Sequence, residues 1–92
     1  MDDVVSAFNA AFGKKIKEYR MYLGLSQEDL ACRIQLTGAD VTQATISNME
    51  SGRYNISAFY AFCLARILNI DIMRVIHDVT GGNDDDGFYM PL

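Results

Sequence analysis

Four side chains spaced three and four residues apart, Gln43, Ala44, Ser47 and Asn48, form the most informative chemical surface in the chain. On a helix these positions share one face, because residues at those spacings lie one above the other. None of them is charged. The amides of Gln43 and Asn48 can pair bidentately with a planar edge such as N6 and N7 of adenine, and the Ala44 methyl can meet a thymine methyl. The hydroxyls of Thr42 and Thr45, with the free N–H groups at the helix start, suit phosphate oxygens. The same composition also fits the solvated side of a surface helix, and these residues alone leave both readings open.

Catalytic chemistry has much weaker support. His77 is the single histidine, no sequence feature pairs it with a nucleophile, and it reads as a surface residue. The carboxylates are scattered, and no glycine-rich phosphate loop or dinucleotide fingerprint occurs. No residues have metal-ligand spacing, so no metal site, no cofactor and no enzyme activity are expected. Cys32 and Cys63 fall inside helical patterns among apolar neighbours and read as reduced core thiols, with a redox or inter-chain role as the alternative.

Charge argues against a strongly basic footprint. The net charge of the 92 residues is −4, but Asp2, Asp3, Asp84, Asp85 and Asp86 lie at the two ends. Seven acidic and eight basic residues remain between them, so the middle of the chain is close to neutral. Lys14, Lys15 and Lys17 form the densest basic cluster, either flanking a polyanion or lining the solvated side of a helix. Half of the residues are hydrophobic, too many for a disordered chain. The apolar runs are far shorter than the roughly 20 residues of a membrane span, and the N-terminus lacks a signal-peptide flank, so a cytoplasmic protein is expected.

The elements that must position these residues can be read from periodicity. Val5, Phe8, Phe12, Ile16, Tyr19 and Leu23 predict a first helix over 4–23, closed by Gly24. Gly13 interrupts it at about 1 kcal/mol relative to Ala, so residues 4–12 are alternatively a separate turn or arm. Ser26 caps a second helix whose inward face is Leu30, Ala31 and Ile34, with Glu28 and Asp29 at its positive end. A turn over Gln35 to Val41 leads to the cap Thr42 and a third helix, with Ile46 and Met49 inward and Gly52 as its stop. After a loop from Arg53 to Ile56, Ser57 caps a fourth helix, and Asp71 a fifth carrying Ile72, Val75, Ile76 and Val79. The fourth helix, with Phe59, Phe62, Cys63 and Ile67 beside Ala61, Leu64, Ala65 and Leu68, is apolar nearly all round and is expected at the centre of a bundle. Tyr54, Phe59 and Tyr60 read as packing aromatics, with base stacking as the alternative. The expected fold is all-α, five helices and no strands.

From about Lys14 to Val75 the chain resembles the Cro/repressor (XRE-type) helix-turn-helix family. The matching residues are Arg20, Gly24, Leu25, Ser26, Gln27, Leu30, Ala31, Thr45, Ile46, Ser47, Glu50 and Gly52, with Leu64, Ala65 and Leu68 in the fourth helix. The resemblance implies a lambda-repressor-like DNA-binding domain with the helix-turn-helix in helices 2 and 3, acting as a transcriptional regulator, in the first instance a repressor. Carried over by position, Gln43, Ala44 and Asn48 face bases, with Ser47 a secondary contact. Gln27, Thr45, Arg53 and Asn55 then join Thr42 at the DNA backbone. Arg20 and Glu50 match a structural ion pair that fixes the first helix against the third.

Two departures qualify the resemblance. The turn over Gln35 to Val41 is several residues longer than in phage repressors and carries Asp40, which would oppose nearby phosphates. Basic charge is sparse, which implies few released counterions, a shallow salt dependence and a need for a homodimer on a two-fold operator. The competing function is a repressor-fold interaction module, such as an antitoxin or anti-repressor, that binds a protein partner through its acidic tail. The expected organisation is an N-terminal extension or arm over 1–12, the DNA-binding domain over 13–80, and an acidic tail over 81–92. The apolar end of that tail, Phe88, Tyr89, Met90 and Leu92, is expected to dock on this chain or a second copy.

Overall fold

Local capping chemistry divides the described residues into five helices. The structure, a computed structural model, describes residues 3–81, and the docking expected of the Phe88 to Leu92 end lies outside the described residues. The helices are α1 (Asp3–Tyr22), α2 (Gln27–Gln35), α3 (Gln43–Glu50), α4 (Ala58–Leu68) and α5 (Ile72–Val79), with no strand among the described residues. Ser26, Thr42, Ser57 and Asp71 each accept a first-turn N–H at the head of α2, α3, α4 and α5. At α2 the cap is reciprocal, because the Asp29 carboxylate accepts from the Ser26 N–H at 2.9 Å.

Phe12, Ile16, Leu30, Ile34, Val41, Ile46, Met49, Leu64 and Leu68 are the largest fully buried side chains, and they bring α1, α2, α3 and α4 onto one core. Val75 adds α5 to it. The all-α, five-helix expectation is borne out.

The first helix is the single one expected, and the alternative break at Gly13 does not occur. It runs unbroken through that residue, so no helix break separates residues 3–12 from the rest. A Cβ at Gly13 would lie 2.1 Å from the Met49 carbonyl oxygen. Gly13 is therefore where α1 meets the backbone of α3, and its lost helix propensity is offset by that close approach.

The fourth helix differs from expectation. Ala61, Leu64 and Leu68 are buried against the core, but Phe59 and Phe62 are 58% and 62% exposed. Among the described residues, contacts from α1, α2 and α5 cover one side of α4 and leave the other open, so α4 is not the centre of their bundle. Tyr54 and Tyr60 pack partly buried against the core. Cys32 is exposed on α2 and Cys63 is half-buried, and both are free thiols, so the reading of Cys32 as a core thiol is replaced. It falls on the outward side of a helix whose buried stripe is Leu30, Ala31 and Ile34.

Candidate nucleic-acid interface

The long turn before α3 is built rather than loose. Gln35 closes it by donating Nε2 to the Val41 carbonyl at 2.6 Å, and the Thr37 hydroxyl donates to the Ile34 carbonyl at 2.6 Å. Gly38, at φ 95°, makes the left-handed step. Val41 is fully buried and anchors the far end, while Leu36 and Asp40 face solvent.

Behind α3, Arg20 of α1 holds Glu50 at the helix end. Its Nε lies 2.6 Å from Oε2 and its Nη2 3.0 Å from Oε1, while Nη1 donates to the Leu25 carbonyl at 2.8 Å. Side-chain exposures of 11% and 4% place this pair largely out of water. The hydrogen bond to Glu50 raises the Arg20 pKa above its usual value, against the opposing effect of burial and with further help from the Glu50 charge. The bidentate geometry fixes orientation as well as distance.

The same carboxylate extends the network forward. Glu50 Oε1 also accepts from Gln27 Nε2 at 3.0 Å, and Gln27 Oε1 accepts from Gln43 Nε2 at 2.5 Å. Gln27 and Gln43 are the first residues of α2 and α3, so a side-chain chain runs from the buried cation to the exposed head of α3. Its polarity is set from the inside. Arg20 only donates and Glu50 accepts, so Gln27 must turn its amide nitrogen inward and its oxygen toward Gln43. Gln43 keeps its own Oε1 and one amide hydrogen for an outside partner. The sequence reading placed Gln27 at a phosphate and missed this bridge, because partners 16 and 23 residues apart leave no periodic signal.

Gln43, Ala44, Ser47 and Asn48 are all exposed, on the side of α3 opposite the buried Ile46 and Met49. The Thr42 hydroxyl caps α3 by accepting from the Thr45 N–H at 3.3 Å, and the two threonine hydroxyls lie 3.1 Å apart. Beyond Gly52 (φ 80°), Arg53 and Asn55 are exposed on the loop. Asn55 Oδ1 accepts from Nδ2 of the buried Asn9 at 3.2 Å, a partner the sequence reading passed over. The usable signal was an amide three residues before Phe12 and four after Val5, on the apolar side of α1.

Lys14 and Lys17 are exposed, and Lys15 lies 3.8 Å from Glu18, as on a solvated helix side. His77 is half-buried on α5. Among the described residues no group of three or more His, Cys, Asp or Glu could hold a metal ion, and no helix is long and apolar enough to cross a membrane.

Two short capped helices joined by a turn, the second presenting an uncharged polar face, define the motif. Residues 16–74 match the helix-turn-helix family. The chain belongs to this family, with the Cro/repressor (XRE-type) pattern described above. A relative from Methanothermobacter thermautotrophicus, named an uncharacterized HTH-type transcriptional regulator, is 45% identical over 72 residues, covering 78% of this chain and 91% of that protein. Two relatives of the same description from Archaeoglobus fulgidus are 38% and 36% identical over 58 residues, covering 63% of this helix-turn-helix chain and 75% and 76% of their own lengths. No solved structure matches.

Proposed function

We propose that the protein is a sequence-specific DNA-binding transcriptional repressor that lays α3 in the major groove of an operator. The observation that carries this reading is the contrast between the two sides of α3. One side is clamped by Ile46, Met49 and the Arg20–Glu50 pair, and the other leaves Gln43, Ala44, Ser47 and Asn48 exposed and uncharged. A rigid helix with free amides suits base edges, and Gln43, already holding Gln27, presents a defined donor and acceptor. Gln27, Thr42, Thr45, Arg53 and Asn55 surround that helix at its start and just beyond its end, where the sugar-phosphate backbone would run. Family membership and the transcriptional-regulator names of the relatives support the reading.

The weak basic charge sets the mode of action. With few cations near α3, one copy gains little from counterion release, so a homodimer on a two-fold operator supplies the affinity. Blocking access to a promoter needs no further activity. The exposed Phe59, Phe62 and Met73 on α4 and α5 supply apolar surface for the second copy, and the same residues also suit a protein partner, as in an antitoxin or anti-repressor.

Selection from random duplex DNA at two salt concentrations tests the proposal. The expected product is a two-fold symmetric site with half-sites about 34–36 Å apart, bound with a shallow salt dependence. Failure to enrich any sequence at either concentration overturns it.

A further inference from the structure

Where the loop after α3 returns to the core it runs against the N-terminal half of α1, and one buried side chain joins them. Asn9 is 7% exposed. Its Oδ1 accepts from the buried Ile56 N–H at 3.2 Å, and its Nδ2 donates to Asn55 Oδ1 at 3.2 Å. Three residues earlier in the loop, a Cβ at Gly52 would sit 3.4 Å from the Ala10 Cα. Asn9, Ser6, Gly52, Arg53, Tyr54 and Asn55 line an open groove at this junction.

The direction of these hydrogen bonds can be derived. A backbone N–H only donates, so the atom of Asn9 facing Ile56 must be its oxygen. The other branch of that amide is then NH2, and the atom of Asn55 facing it must also be an oxygen. Asn55 is exposed, so its own NH2 branch, turned away from Asn9, is left to outside partners, and the exposed Arg53 lines the same groove. A donor and a cation on one groove suit a phosphate oxygen.

We infer that Asn9 is a positioning residue for DNA binding: through the Ile56 N–H it sets the polarity of the Asn55 amide, so that Asn55 presents a donor, on the groove that Arg53 also lines, to the DNA backbone. This rests on the DNA-binding reading above and extends the interface to α1, outside the helix-turn-helix itself. No base is read by this pair, so its contribution is uniform across sequences.

Asn9→Asp separates positioning from folding. An aspartate oxygen still accepts from Ile56, but the second oxygen cannot donate, so Asn55 must turn its NH2 inward and its oxygen out. The fold is kept with a lowered melting temperature, the cost of a largely buried carboxylate, while affinity measured well below that temperature falls about tenfold on every duplex with base preferences unchanged. In an Asn55→Ala background the same change costs less than about threefold, because there is no amide left to reverse. Equal losses in both backgrounds would mean that the added charge acts by itself, and they overturn the inference. Should Asn9→Asp fail to fold, Asn9→Ser removes the NH2 branch that faces Asn55 and enters the same cycle, with a loss of about threefold that again requires Asn55.

Side-chain amide hydrogen exchange in the free protein supplies a readout independent of DNA. The Asn55 amide protons exchange fast in the wild type and slow in Asn9→Asp, and no difference between the two overturns the inference. Wild-type protein that binds no duplex defeats the DNA reading and this role with it. Wild-type protein that binds, with additive effects of the two substitutions, defeats this role alone.

Discussion

Arg20 reaches across 30 residues of sequence to grip Glu50 with two hydrogen bonds, 2.6 and 3.0 Å long. A guanidinium fork and a carboxylate this well matched, and this little exposed, form one unit that locks the end of α3 onto α1. Removing one member leaves the other charged and poorly solvated. Arg20→Met is therefore expected to lower stability by about 3–5 kcal/mol in urea unfolding. Arg20→Lys recovers only part of that, since an ammonium lacks the planar fork. The double change Arg20→Met with Glu50→Met returns near wild-type stability, because an apolar pair can replace a buried ionic one. Equal stability of Arg20→Met and wild type would contradict the locking role.

Gln27 and Gln43 predict a different phenotype, one of selectivity. Gln27→Ala frees the Gln43 amide from its partner while leaving the core intact. Base preference at the position that Gln43 reads should then relax by about 1–3 kcal/mol, alongside a smaller loss on all sequences. Binding to a panel of single-base operator variants measures both effects. A uniform loss with undiminished preference would mean that Gln27 contacts only the backbone.

Gly13→Ala tests the close approach of α1 and α3. Helix propensity alone favours Ala by about 1 kcal/mol. The new methyl would meet the Met49 carbonyl at 2.1 Å, a contact that only backbone movement can relieve. The substitution is expected to destabilise by about 1–3 kcal/mol in thermal or urea unfolding. A more stable Gly13→Ala would show that the helices stand further apart.

Acid should weaken the start of α2. The backbone N–H of Ser26, and then its side chain, hold the Asp29 carboxyl below its usual value of 3.8. The unfolded chain thus takes up this proton first as pH falls, so what the charge contributes is complete above the unfolded value and is lost as pH drops through the folded one. In urea unfolding, the gap between wild type and Asp29→Asn should be level from neutral pH to about pH 5 and narrow below about pH 4. A gap that stays constant into strong acid would contradict the assignment.

Much of the fold was legible because capping and amphipathicity are local. Ser26, Thr42, Ser57 and Asp71 announce their helices within four residues, and Ile46 and Met49 declare the inward side of α3 by spacing alone. What stayed hidden depends on partners distant in sequence. Gly13 reads as a helix defect until the Met49 carbonyl is beside it. Val41 sits in a stretch with turn composition, yet it is fully buried because Gln35 folds the turn back over α2. The bare side of α4 was illegible for a related reason, since periodicity reports which residues are apolar and not how many neighbours arrive to cover them. The exposed residues of α3 could be named from spacing, but the hydrogen bonds of Gln43 to Gln27 and of Asn9 to Asn55 required the structure.

If the outward amides of α3 read bases, Gln43→Ala and Asn48→Ala must show it on the selected operator. Each substitution is expected to cost about 1–3 kcal/mol on that site and to erase base preference at its own position, with the rest of the site still required. If both variants bind with wild-type base preferences at every position, α3 is not the reading helix.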